Sequence, residues 1–389
     1  MISANELVEA LKFCQDYINS PIAALNSYQR SQSLPQHDFI RPQIDFDKAI
    51  LGLDFKTIDA INSLKTNIDK KNFKLSTIAT NSPNHSEDVS LSWAPLSSAG
   101  LYAPYKLVSS LITWASAAQA AGVKNLTVYL AQNPITGQPC PASVYTAQSY
   151  KAKILVGPAR FAFPCLAFGD GNNYKGSDIL CGPAGKHLNL LKQASALLAM
   201  KKTDFYAGPS ELAVAIDSAK HLNQALADLT AQIEHGPDSL GHIILVKCRV
   251  SKETLFQQQP ILSKRVICHE VSSWDLACSL IDKLAVETVE LLGENKEVNQ
   301  ALFKLNHCGI AYSNLSSSMG DYLIVGRGCG DPTQGTAKFS SGISPLLFMR
   351  LRALVMGHKP NNALINAGRH LAKYEQLTSH LKAINTFLK

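Results

Sequence analysis

The chain has no Cys-x-x-C pair, and its nine cysteines are an odd number, scattered singly along 389 residues. That gives no disulfide framework and reads as a reduced, cytosolic chain. It has no apolar run of the length needed to span a bilayer. The first stretch, MISANELVEALKFCQDYINS, lacks the basic start and apolar core of a secretion signal and reads as an amphipathic helix with acidic residues. It also has no concentrated basic patch. The net charge is +7, but the densest runs, KKNFK and MKK, are short, which speaks against a nucleic-acid footprint. Repeats and low-complexity linkers are missing as well. These absences leave a soluble, cytoplasmic protein with no membrane or nucleic-acid partner.

What is present is core-forming material. Hydrophobic residues make up 46% of the chain, enough for two domains with cores of their own. FKTIDAINSLKTNIDKKN has helical spacing in Ile58, Ile61, Leu64 and Ile68. From there strands and helices alternate. GVKNLTVYLA, AKILVG, DILCGPAG, SELAVAID and GHIILVKC read as strands, and SLITWASAAQAAG, PARFAFPCLAFG and KHLNLLKQASALLAM read as helices between them. Alternation of this kind predicts α/β units on a mostly parallel sheet. The tail, PLLFMRLRALVMGHK and the residues after it, reads as helices with no strand between them.

In open α/β sheets ligands bind beyond the carboxyl ends of the strands. Three turns are expected there: LYAPYK, CGPAGKH and YAGPSE. The second of these could cradle a phosphate at a helix amino terminus, and Gly-Pro turns are also common without one. LTAQIEHGPDS carries a further signal. Its helix buries Leu222, Leu226, Leu229 and Ile233, and it sets Gln232 and His235 three apart on one face just before a Gly-Pro stop. A histidine placed favourably at the negative end of a helix dipole explains this. Half of a metal site explains it equally. Asn306 and His307 in LNHCG, Asp321 in MGDY, and Glu375 and His380 in YEQLTSH add nitrogen and oxygen donors of the type zinc accepts. Each has a dull alternative: a satisfied core histidine, an N-cap, a surface residue.

The segments YAGPSE, AQIEHGPDS, GDY, PTQGTAKFSSGIS and LTSHLKAI, in that order, resemble the signature segments of the histidinol dehydrogenase family. The resemblance covers roughly Leu53 to Lys389. It implies NAD-linked oxidation of L-histidinol through an aldehyde to L-histidine, in a homodimer with one zinc per site. It places the zinc ligands at Gln232, His235, Asp321 and His380, and substrate contacts at Ser210, His307 and Glu375. Of these, Glu375 and His380 would come from the partner subunit. Cofactor contacts fall at Tyr102, Arg160 and Gly185. His307 would accept the alcohol proton.

The resemblance also marks departures. The family's general base for the second step, a glutamate directly before the histidine, falls at Asn306, which has no titratable carboxylate. Where Gly-Pro-Gly-Asn is usual, Gly182-Pro183-Ala184-Gly185 stands, and an Ala184 methyl could block a pyrophosphate. Tyr105-Lys106 and Arg160 replace small or neutral residues at the cofactor side. A zinc pocket kept beside an altered redox side leaves two other readings: a non-catalytic, zinc-dependent binding protein for an imidazole or amino acid, and a dehydrogenase of a different amino alcohol.

The expected fold class is α/β, with two Rossmann-like parallel-sheet domains and a small C-terminal helical appendage. Residues 1–24 form a helical segment packing with the tail. Residues 25–101 join 210–342 in the domain carrying the metal-site residues. Residues 102–209 form the cofactor-side domain, and 343–389 form a helical tail reaching the partner.

Overall fold

The structure is a computed structural model that describes residues 3–32, 46–80, 89–206, 208–248, 250, 260–294, 296–320, 332–355, 357 and 362–387. Its helices are α1 (Ala4–Asn19), α2 (Pro21–Ser31), α3 (Phe46–Ile50), α4 (Phe55–Thr80), α5 (Val108–Ala120), α6 (Pro141–Ser149), α7 (Ala162–Phe168), α8 (Lys186–Ala199), α9 (Leu222–Glu234), α10 (Trp274–Leu284), α11 (Lys296–Leu302), α12 (Asn362–Tyr374) and α13 (Thr378–Phe387). The strands are β1 (Val89–Pro95), β2 (Ser98–Ala103), β3 (Asn125–Ala131), β4 (Lys153–Gly157), β5 (Ile179–Cys181), β6 (Lys202–Thr203), β7 (Glu211–Ile216), β8 (Leu240–Val246), β9 (Val266–Val271), β10 (Thr288–Leu292), β11 (Ile310–Ser313) and β12 (Met349–Val355).

Two five-stranded sheets carry the fold, in the orders β4-β3-β2-β5-β6 and β11-β10-β7-β8-β9. Neighbouring strands in both are parallel. In each, the chain starts at the central strand, winds one way for three strands and then returns to the other side. That is the doubly wound order of a Rossmann half. The sequence explains why. Parallel strands are covered on both faces, so they must be apolar almost throughout. Accordingly, LTVYLA and HIILV are buried nearly end to end.

In the second sheet the pleat sorts the strand residues. Leu212, Val214 and Ile216 pack with Leu226, Leu229 and Ile233 of α9. Ala213 and Ala215 pack with α10, through Ala277 and Ile281.

The stretch 25–101 does not join the domain expected for it. Leu25 and Tyr28 pack with Phe161, after β4. The α4 side chains Asn72 and Asp69 bond Ser116 of α5 and the Tyr150 hydroxyl beyond α6. These helices therefore sit on the first sheet, and β2 itself runs across the expected boundary at 101/102. Helix α1 lies on α8, with Glu6 paired to Lys186 at 2.7 Å and Cys14 Sγ 3.3 Å from Ser195 Oγ.

The tail also departs from its reading as helices alone. Met349–Val355 is a strand, paired with β1. MRLRA alternates apolar and basic residues at period two, while LLFMRLRAL offers helical spacing as well. Period two holds where a strand partner exists. Residues 80–94 and 351–389 form a compact unit of their own, with α12 and α13. Among the described residues no helix is long and apolar enough to cross a membrane.

Candidate functional site

The segment from Asp204 to Ser210 leaves the carboxyl end of β6 and enters the amino end of β7. It therefore joins the carboxyl edge of the first sheet to the amino edge of the second. YAGPSE was expected beyond a strand's carboxyl end, and it stands there, past β6, while also leading into β7. Ser210 Oγ lies 3.1 Å from His235 Nδ1. The Ser210 carbonyl accepts the Leu240 N–H at 3.1 Å, which ties the turn to the start of β8.

His235 is the C-cap of α9, and Gln232 is buried one turn before it. Gly236 and Pro237 stop the helix there. Arg265 Nη1 donates to the Gly236 carbonyl at 3.0 Å, placing a cation at the negative helix end. Desolvation holds the His235 imidazole below its ordinary pKa, in the neutral form a metal needs.

Two carboxylates border the pair. The Glu211 N–H donates to Glu287 Oε2 at 3.2 Å, because Glu287 opens β10, the strand beside β7. The Glu211 carboxylate accepts the Gln334 N–H, 3.1 Å from each oxygen. Burial pushes Glu211 up to about 7, with the Gln334 N–H working against it.

Segments distant in sequence meet at this edge. Thr333 Oγ1 accepts the Gly208 N–H at 2.6 Å, and the Thr333 N–H donates to the Tyr206 carbonyl at 3.0 Å. A Cβ on Gly208 would come within 2.9 Å of Thr333 Oγ1 and 2.8 Å of the Tyr206 ring. Close docking of TQGTAK on YAGPSE thus requires glycine there.

Asn306 and His307 stand just before β11, at the amino end of the same sheet, and make no described hydrogen bond to Ser210 or His235. Both backbone N–H groups donate to Asp282 Oδ1 at 2.9 Å, and Asn306 Nδ2 donates to Asp282 Oδ2 at 3.1 Å. They form a polar turn beyond α11, three to four residues short of Ile310, the partner of Thr288 in the parallel ladder. Glu287, which the reading of the sequence did not single out, also lies on this edge. Asp321 lies outside the described residues. Glu375 and His380 are exposed in the unit formed by residues 80–94 and 351–389.

The expected cofactor residues share the carboxyl edge of the first sheet. Tyr102 is the penultimate residue of β2, Arg160 follows β4 and Gly185 caps α8. Gly182 has φ +135°, and a Cβ on it would stand 2.4 Å from the Tyr102 carbonyl oxygen, so the turn is pressed onto β2 as only glycine allows. A Cβ on Gly185 would meet nothing within 4 Å, so the start of α8 is open. The Ala184 methyl is buried in the core with Tyr102 and Leu166, so it does not shield that helix end as expected. Arg160 is engaged too, its guanidinium carbon 4.3 Å from the centre of the Phe13 ring on α1.

One turn before Gln232, Asp228 accepts the Ser316 hydroxyl at 2.6 Å. Glu290 of β10 accepts the Ser317 N–H at 2.6 Å and faces Asp228. Burial, then Asp228, pushes Glu290 up to about 8. Between the ordinary carboxylate pKa and that value the folded chain holds a proton the unfolded chain has lost. Stability on this account is full at low pH and falls as pH rises towards 8. Glu290→Gln keeps the acceptor for Ser317 and removes the titration. From about pH 5 to about pH 8 its melting temperature should gain on the wild type's by roughly 5 °C or more. Parallel thermal melts of the two proteins over that range would reject the account.

Two doubly wound parallel sheets, with a histidine–serine–carboxylate edge on one and a glycine turn on the other, define an α/β protein built like a two-domain dehydrogenase. The model of the histidinol dehydrogenase family matches residues 18–387, and the chain belongs to that family, a family of NAD-dependent dehydrogenases. Histidinol dehydrogenase of Halalkalibacterium halodurans is 30% identical over 318 residues, covering 76% of this chain and 73% of that protein. That of Prochlorococcus marinus strain MIT 9313 is 29% identical over 321 residues, covering 77% and 71%. The crystal structure of histidinol dehydrogenase from Elizabethkingia anophelis is similar with a TM-score of 0.85 at 22% identity, covering 100% of this chain and 93% of that one. It has the same fold.

Proposed function

We propose that the protein oxidises L-histidinol to L-histidine through histidinal, reducing two NAD⁺ and consuming one water. The observation that carries this reading is the Ser210–His235 contact beside Glu211 and Glu287, on a segment continuous with the open glycine turn of the first sheet. Family membership supplies the substrate.

The donor set fits zinc as far as it is described. Gln232 offers an amide oxygen and His235 an imidazole, on one face of one helix end. With Nδ1 engaged by Ser210, the other ring nitrogen of His235 is the one left for a metal. In this reading Asp321 and His380 complete the set. Zinc would supply a Lewis-acidic anchor for the imidazole and amine of the substrate. NAD⁺, seated at the turn of Gly182 to Gly185 near Tyr102, would accept the hydride.

The protein's own groups do the rest. Ser210 orients His235 and contacts the substrate. Glu287 accepts the alcohol proton in the first oxidation and a proton from the attacking water in the second. Glu211, half protonated near neutral pH, passes protons outward.

Several large apolar side chains are exposed in the unit holding α12 and α13, among them Leu364 and Leu371. They support a homodimer in which Glu375 and His380 reach the partner's site.

Purified protein should reduce NAD⁺ with histidinol and, separately, with histidinal. Turnover of another amino alcohol alone would move the reading to that substrate. Zinc and imidazole binding with no nicotinamide binding or turnover would make the chain a binding protein instead.

A further inference from the structure

We propose that the buried Lys192–Asp204 ion pair is a joint that positions the nucleotide turn at Gly182 and the strand entrance carrying Ser210 and Glu211 as one piece. What each end binds rests on the function proposed above; the mechanical coupling does not.

Both side chains are wholly buried, and Lys192 Nζ lies 2.5 Å from Asp204 Oδ1. Nζ also donates to the Gly182 and Phe205 carbonyls, each at 3.3 Å. The ammonium thus has three oxygens around it, two carbonyls by hydrogen bond and the carboxylate by ion pairing. Asp204 Oδ2 accepts the Gly182 N–H at 2.9 Å. The N–H and the carbonyl of Gly182 are thus both held, one by each member of the pair. This fixes a residue whose φ of +135° only glycine adopts readily.

The joint continues into the other edge. Phe205, whose carbonyl Lys192 holds, stacks on Trp114 with ring centres 5.6 Å apart. The next carbonyl, of Tyr206, accepts from Thr333, and Thr333 Oγ1 accepts from Gly208. Two residues on is Ser210. Every link from the nucleotide turn to the substrate serine is a hydrogen bond or a peptide bond.

Stability is a poor explanation for such a pair. Replacing a buried ion pair with apolar residues of similar volume is often neutral or stabilising. A positioning role explains a feature that costs desolvation and leaves Gly182 a single arrangement. Lys192 and Asp204 touch neither substrate nor cofactor in this account, so they are positioning residues.

The test is the neutral double variant Lys192→Met/Asp204→Leu, with Lys192→Met/Asp204→Asn as the milder pair if the first folds poorly. Amide hydrogen exchange is measured without ligand. We expect protection to fall together over residues 179–185 and 204–211, by at least about tenfold, with strand 240–246 unchanged. NAD⁺ affinity should fall by about tenfold or more while zinc content holds, and histidinol kcat should fall although Ser210 and Glu211 are intact. Loss of protection in one segment alone, or evenly across the fold, would overturn the joint. So would a double variant with wild-type exchange. If the wild type binds no NAD⁺, the dehydrogenase reading fails, and the exchange pattern still decides the coupling.

Discussion

Glu287→Gln is expected to slow the conversion of L-histidinol to L-histidine by about 10²–10⁴-fold, the usual worth of a positioned general base. The amide is nearly isosteric and still accepts the Glu211 N–H that Glu287 Oε2 accepts at 3.2 Å. The edge of the sheet should therefore stay in place, with zinc content and melting temperature close to wild type. The second oxidation should suffer most, because water must lose a proton there to attack the aldehyde. Asn306→Glu is the paired control. Asn306 is spent on Asp282, with bonds of 2.9 and 3.1 Å, so a carboxylate there has no substrate to serve. Histidinal oxidation rates of the three proteins decide the matter. A Glu287→Gln enzyme with full turnover, or an Asn306→Glu enzyme that speeds up severalfold, would return the base to the LNHCG turn.

That contrast shows what the sequence makes legible and what it hides. Long apolar runs such as HIILV reveal buried parallel strands, since nothing else needs so continuous a stretch. The same runs say nothing about which end of a strand faces the site. YAGPSE looks alike before or after a strand, and here it is both, past the carboxyl end of β6 and at the amino end of β7. Once that end is known, the acid opening the neighbouring strand becomes a site residue. Glu287 in AVETVELL reads locally as a strand start, and its role depends on β10 lying beside β7, a long-range fact. LNHCG is harder to read, because it looks locally like a catalytic pair while its described polar groups bond Asp282. Gln232 and His235 are legible because helical periodicity is local. Both donors sit within one turn of the same helix end, and the Gly-Pro stop is written next to them.

The second large effect should be on metal content. Wild-type protein is expected to carry about one zinc per chain, as a four-ligand site would, and His235→Ala should lose nearly all of it. Ser210 fixes the His235 ring through Nδ1 at 3.1 Å, so Ser210→Ala should keep most of the metal and weaken its hold about 10–100-fold, the usual cost of losing the group that orients a ligand. Among the described residues no three histidine, cysteine or acidic side chains gather into a metal cluster. In the proposed reading the set is completed by Asp321 and His380. If it is completed by His380 of a second copy, His380→Ala chains should be as zinc-poor as His235→Ala chains. Refolding the two variants together should then restore zinc, because each mixed dimer holds one site with both histidines intact. Half the chains in a random mixture enter such dimers, and each of these dimers regains one site. Zinc should thus return to about a quarter of the wild-type level, measured by elemental analysis beside a subunit-exchange assay. Mixed dimers that form and stay metal-free would show that the tail serves its own chain, and full zinc in His235→Ala alone would remove His235 from the site.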